Sequence, residues 1–295
     1  MKITILVKCV QLDPRPQGAG GNEEFFRGNR VLGIEVTIPS LAARCIANLD
    51  HHGEHDTAET PSACEQALTK SLGNTGVIMA TVRPDADSVT AMAVLARQLE
   101  GLSVDEDLIR AVGAFDRLGP AAGRPEDRVI AIARKAMDFK ILLCDRVIWV
   151  ADLIGGEDKS AEVATLVASH DADIAAARQA SQISTRSSKG VMIASVTSTH
   201  RNATLLGYEA GQVVVAFNPT MAVDPKSPSA GTYEKFTVCR YDSHVRCDLP
   251  SALKELQALE VGWGGRGDIF GSPQGVSSTL VTAQVLEVVA RHCYE

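Results

Sequence analysis

The sequence predicts an α/β fold in two domains: an α/β sheet domain, a helical connector and a smaller α/β domain. Three features carry this. A short run of β-branched and apolar residues, Val77–Val82, feeds an apolar helical segment, Ser88–Glu100, through an acidic turn, the layout of a parallel sheet with crossover helices. A long alanine-rich segment near Ser160–Ala180 reads as one helix, and from Gly190 onward the pattern changes to short apolar runs separated by turn residues. With 295 residues, the chain is long enough for two cores. The expected divisions are 1–154, a connector over 155–186, and 187–295.

Taken in order, Met1–Val10 reads as a buried strand; Lys8 interrupts it and no small-residue cleavage site follows, which argues against a signal peptide. Pro14–Gly21 is a loop, and Val31–Ile38 a second strand ending at Pro39. Ser40 is placed to cap a helix over Leu41–Leu49. Ser62 and Glu65 have the spacing of a capping box. Helices are expected over Asp105–Val112, Pro125–Met137 and Ile141–Ile154. In the second half, strands are expected at Val191–Thr197, Ala203–Leu206, Gln212–Phe217 and Phe236–Tyr241, and helices at Pro250–Leu259 and Ser278–His292.

Composition narrows the function. Lys+Arg of 29 against Asp+Glu of 36 leaves a net charge of −7, which excludes a broad basic surface for long duplex nucleic acid. Mean hydropathy is +0.03 and no apolar run is long enough for a membrane span, so no membrane partner is expected. The seven cysteines are odd in number and scattered, the pattern of reduced cytoplasmic thiols, with Cys239 and Cys247 the pair close enough in sequence to share a metal or a disulfide.

Four segments carry candidate chemistry. Asp50-His51-His52, with His55 and Asp56 just beyond, concentrates carboxylate and imidazole donors, a mixture that suits manganese, iron or zinc. Were the triplet extended, Asp50 and His52 would share a face and His51 would point away. Asp85 and Asp87 follow the Val77–Val82 strand behind Pro84, and two carboxylates so close repel unless a cation or proton lies between them. A helix N-cap role for Asp87 or Ser88 is the structural alternative, compatible with metal binding. Asp116, followed by Arg117, is a third acid, which by itself reads as half of a surface pair. Last, Gly262–Gly275 (GWGGRGDIFGSPQG) can present backbone N–H groups to an anion, with Arg266 as a fork, or form an ordinary glycine-rich hairpin. Arg83, His200 and Arg201 are further anion-binding candidates.

Together these residues resemble the DHH phosphoesterase superfamily with a DHHA1-type second domain: Asp50-His51-His52, the strand-borne Pro84-Asp85-Ala86-Asp87-Ser88, the Asp116 segment, a helical linker, and Gly264-Gly265-Arg266 near the end. The resemblance spans most of the chain. It implies Mn2+ or another divalent ion held by Asp50, His51, His52, Asp85, Asp87 and Asp116, with His51, His52 and Asp85 catalytic. Gly264, Gly265 and Arg266 would hold the substrate, and Arg83, His200 and Arg201 stay as the further substrate-binding candidates that residue type gives. Two points depart from the family pattern: the acidic motif follows the DHH motif instead of preceding it, and Thr81 stands where the family has a liganding histidine. Either His55 or His51 supplies the missing nitrogen, or one of the family's two metals is lost.

The activity so implied is metal-dependent hydrolysis of a small phosphorylated substrate, such as a nucleotide or short oligonucleotide, in the cytoplasm; a homodimer is compatible with it. Metal-dependent hydrolysis of a non-phosphate substrate, and nucleotide binding without catalysis, are the alternative readings.

Overall fold

The computed structural model describes residues 8–13, 15, 18–52, 59–72, 76–119, 123–224, 227–240, 242 and 244–295. His55, Asp56 and the first residues of the expected N-terminal strand lie outside that set. The architecture is α/β with two sheets, and the chain divides into two compact units, Met1–His170 and Asp171–Glu295.

In the first unit, strands β1 (Cys9–Gln11), β2 (Val31–Ile34), β3 (Ala47–Leu49) and β4 (Ile78–Thr81) form a four-stranded sheet in the order β1-β4-β2-β3. Every pairing in it is parallel. Parallel neighbours need crossovers, which run through α1 (Ala19–Gly28), the short α2 (Pro39–Ala42) and α3 (Ala63–Thr69). Because all four strands point the same way, their carboxyl ends and the residues just beyond them share one edge of the sheet.

Helix α4 (Ala86–Leu99) follows β4, and its residues from Ala86 through Arg97 are all buried. A helix apolar on every side belongs inside a core, and α4 packs against α3, α5 (Glu106–Leu118), α6 (Asp127–Ala136) and α7 (Leu143–Ile154). Arg97 is tolerated there because its Nε donates to the Ser103 carbonyl and its Nη1 to that of Ala151. Helix α8 (Ser160–Gln179) contains the division between the units.

The second unit holds a six-stranded sheet, β5 (Ser181–Ser188), β6 (Val191–Ser198), β7 (Val213–Ala222), β8 (Thr232–Cys239), β10 (Ile269–Gly271) and β9 (Gly264–Gly265) in that order. Its pairings are antiparallel except β6 with β7. Helices α10 (Leu249–Leu259) and α11 (Thr282–Arg291) supply Leu249, Leu256, Val285 and Val289 to a core with Phe236, Trp263 and Phe270.

Several local expectations need correction. The helix expected over Leu41–Leu49 is the four-residue α2 followed by β3, and its N-cap is Ile38, not Ser40. Leu41, Ala42 and Ala43 favour helix, but Ala47–Leu49 pair with Leu32–Ile34, and sheet pairing overrides local propensity. The strand expected to reach Ile38 stops at Ile34. Ala203–Leu206, expected as a strand, belongs to helix α9 (Ala203–Ala210), the crossover required by the parallel β6/β7 pair. The polar strand β5 has no hydrophobic alternation and was not expected. Helix α5 extends beyond Val112 to Leu118 and so contains Asp116. All seven cysteines are free thiols, and the backbone of Cys247 pairs with that of Cys293 in an isolated antiparallel bridge, not with Cys239.

Candidate metal centre

The edge formed by the strand ends of the first unit gathers the acids and histidines. Glu35 follows β2, Asp50-His51-His52 follow β3, and Asp85 and Asp87 follow β4. Asp116 is supplied by α5, which is tied to α3: the Arg117 guanidinium makes a two-pronged contact with Glu65, at 3.0 and 3.1 Å. Arg117 therefore pairs with Glu65, not with its neighbour Asp116. The expected capping box is present, Ser62 N donating to Glu65 Oε2 at 2.9 Å.

Glu35 was not anticipated from the sequence. Its backbone takes a left-handed φ of 52°, rare for a residue with a Cβ and a mark of strain at functional sites. The turn is held on both sides. Glu35 N donates to the Leu49 carbonyl at 2.8 Å. The Asn48 side chain accepts from Val36 N and donates to the Val36 carbonyl, both at 3.2 Å. The carboxylate is 3% exposed, and neither of its oxygens accepts a hydrogen bond. Burial, and then the negative charges of Asp85, Asp87 and Asp116, push its pKa well above the usual carboxylate value. A buried carboxyl facing other carboxylates is an environment that a cation, or a proton shared with Asp85, relieves. The only sequence signal was a lone acid just past an apolar strand, Val31–Ile34.

One ligand atom each from Glu35, His51, Asp87 and Asp116 lie within 4.8 Å of one another; Glu35, His51 and His52 make a second such group. His51 Nε2 stands 3.0 Å from Asp116 Oδ2 and 3.4 Å from Glu35 Oε1. A nitrogen with three carboxylate oxygens fits a borderline divalent ion. Asp87 is completely buried and anchored: Oδ1 accepts from Ser62 Oγ and Cys64 N, each at 2.8 Å, and Oδ2 accepts from Ala63 N at 2.6 Å. Oδ2, with a single donor, keeps a lone pair for an ion. Burial, followed by the charge of Asp116, raises Asp87 to about 6 against the pull of its Cys64 and Ser62 hydrogen bonds.

The other members of the two motifs are otherwise occupied. Asp50 Oδ1 accepts from His52 N at 3.0 Å and lies 2.8 Å from His52 Nδ1, while Oδ2 accepts from Asn48 Nδ2 at 3.2 Å. Burial raises the Asp50 carboxyl, but the His52 hydrogen bonds outweigh it and hold the group below its ordinary value. Asp85 is the N-cap of α4, accepting from Ser88 N at 3.0 Å and Ser88 Oγ at 2.7 Å. The N-cap is thus Asp85, not Asp87 or Ser88. His52 lies beside His51 with ring centroids 4.5 Å apart and the planes tilted by 49°, and its side chain is 31% exposed.

Arg83 is exposed on the loop between β4 and α4. The remaining expected substrate contacts are in the second unit. Gly264 and Gly265 form β9 of a tight hairpin with β10; Gly265 has φ 147°, and a Cβ there would lie 2.5 Å from Phe270 Cα. Arg266 N donates to the Ile269 carbonyl at 2.8 Å and its guanidinium meets Asp268 at 3.3 Å, so the glycines serve the hairpin closure. Arg201 pairs with Asp173 at 2.7 Å, and His200 Nδ1 accepts from Asn202 N at 3.2 Å. Among the described residues, no helix is long and apolar enough to cross a membrane.

No protein-family model matches the chain, and no curated protein does. Among solved structures the chain is similar to a DHH-domain structure described as a member of the s1p family of ribosomal proteins. The two share 11% identity with a TM-score of 0.43, over 94% of this chain and 66% of that one.

Proposed function

We propose that the chain is a divalent-metal-dependent phosphoesterase acting on a small phosphorylated substrate such as a nucleotide or short oligonucleotide, with manganese as the ion, in the cytoplasm. The observation that carries this reading is the buried Glu35 carboxyl inside a four-residue donor set with His51, Asp87 and Asp116, whose ligand atoms lie within 4.8 Å of one another. A divalent ion bound there supplies an activated water and neutralises charge on phosphoryl oxygens.

In this reading His51 holds the ion through Nε2, together with oxygens of Glu35, Asp87 and Asp116. Asp50 acts through His52: by engaging Nδ1 it fixes the ring and leaves Nε2 to carry a proton to or from the reacting oxygen. Asp85 sets the start of α4 and thereby the position of Asp87. Arg83, beside Asp85, meets the anionic end of the substrate; Gly264, Gly265 and Arg266 are assigned to substrate contact on the sequence resemblance alone, and His200 and Arg201 on their residue type as anion-binding candidates.

The test is metal analysis of purified protein combined with turnover of phosphomonoester, phosphodiester and amide substrates side by side, for wild type and Asp87→Asn. Bound divalent ion, manganese-stimulated phosphoester hydrolysis and loss of both in the variant are expected. Protein that binds no ion and gains no activity with manganese refutes the reading, and turnover confined to amides replaces it with the non-phosphate hydrolase.

A further inference from the structure

We propose that Cys247 and Cys293 form a covalent modification site, a thiol pair that a low-molecular-weight disulfide such as oxidised glutathione converts into an intramolecular disulfide. The two residues face each other across an isolated antiparallel bridge. Asp248 N donates to the His292 carbonyl at 2.9 Å and Tyr294 N to the Arg246 carbonyl at 3.0 Å. Those flanking bonds identify the pair as the kind that exchanges no hydrogen bond of its own, in which the Cα atoms approach to about 4.5 Å. That spacing lies within the range a disulfide spans, about 4.4–6.8 Å. Both side chains also turn to the same spot: Cys247 Sγ lies 3.7 Å and Cys293 Sγ 3.5 Å from the carbonyl oxygen of Val289. Bridging needs a rotation about χ1, not a movement of backbone.

Neither thiol has a part in the proposed hydrolysis, since both belong to the core of the second unit. They are 0% and 1% exposed, so reaction requires the bridge to open locally. Opening parts the two backbone hydrogen bonds of the bridge and the contacts that Arg240 Nη1 makes to the Val245 and Cys247 carbonyls, a local event short of unfolding the sheet. The opened Cys293 thiolate attacks one sulfur of the reagent and expels one thiolate. Cys247 then attacks Cys293 Sγ in the mixed disulfide and expels the second. One protein S–S bond forms as the reagent's breaks, the reagent takes up two electrons, and the two thiol protons pass to its released sulfurs. The closed loop contains α10, the glycine-rich hairpin, β10 and α11.

The experiment uses the full chain, incubated with oxidised glutathione until the free-thiol count is constant, alkylated and digested with trypsin under non-reducing conditions. The expected product joins the peptide running from Cys247 to Lys254 to the peptide beginning at His292. It disappears on reduction, is absent from Cys293→Ser and persists in Cys45→Ser. The oxidised protein is also expected to unfold on the order of 10 °C higher, reversibly with reductant. Separate alkylation of both cysteines at the end of the incubation overturns the proposal, as does Cys247 joined to Cys239 instead. A cross-link that leaves the unfolding midpoint unchanged overturns its stabilising role.

Discussion

Replacing Asp87 by alanine in metal-free protein separates the structural and chemical duties of the candidate centre. The substitution strips the acceptor from Ser62 Oγ, Ala63 N and Cys64 N, all buried. The Ser62 hydroxyl has Cys64 Sγ at 3.4 Å as an alternative partner, so the loss falls on the two backbone N–H groups. At about 1–3 kcal/mol for each buried donor left unpaired, that is about 2–6 kcal/mol. Against it stands the relief of a carboxylate raised from 3.8 to about 6, which at neutral pH is worth about 3 kcal/mol. The balance at pH 7 lies between a gain of about 1 and a loss of about 3 kcal/mol, centred on a loss of about 1 kcal/mol, read from urea denaturation in the presence of chelator. The pH dependence has a definite sign. A folded pKa above the unfolded one means that the native state binds the proton more readily, so this group's contribution to stability is complete below about pH 4 and is lost as pH rises through about 6. That dependence disappears in the variant. Manganese at about 100 times its Kd adds about 2.7 kcal/mol to wild type and nothing to the variant. An alanine variant that keeps the pH dependence through about 6, or one that manganese stabilises equally, refutes the reasoning.

Other perturbations probe neighbouring parts of the argument. Asp50→Asn is expected to lower kcat about 10- to 100-fold by releasing His52 Nδ1, the scale of losses seen when a supporting hydrogen bond is removed; bound metal, measured by elemental analysis, stays at the wild-type level. Gly113→Ala places a Cβ 2.7 Å from both Glu65 Cδ and Ser62 Oγ, and should cost about 1–3 kcal/mol in chemical denaturation. In the second unit, burial raises the Glu260 carboxyl, but donors at Thr279, Ser278 and Trp263 outweigh it and hold the pKa below 4.5. Its contribution is therefore present above about pH 4.5 and lost as pH falls through the lower folded value, so Glu260→Gln should flatten the acid limb of the stability profile.

Much of the chemistry was legible because it was concentrated. Asp50-His51-His52 and Asp85-Ala86-Asp87 are short, unusual clusters, and the Ser62/Glu65 box and the α4 helix follow from local rules. Asp116 was named but not understood. In isolation it is half of an ordinary Asp-Arg step, and it joins the candidate donor set while Arg117 turns to Glu65. Glu35 was missed for the opposite reason: a lone acid after an apolar strand carries no pattern. Nor could the sequence show that Asp50 and Asp85 would be engaged by His52 and Ser88, since side-chain saturation depends on rotamers and neighbours.

Local chemistry in the sequence by itself determined the α/β class, the acidic balance, and the two motifs with their order along the chain, because hydrophobic period, capping and composition are properties of adjacent residues. Only the tertiary structure decided that β3 rather than a helix presents Asp50-His51-His52, and that Glu35 completes the donor set. It decided also that Cys247 faces Cys293 and not Cys239. Each of those outcomes rests on pairing between segments far apart in the chain, where strand register and parallel orientation, not local preference, choose the neighbours.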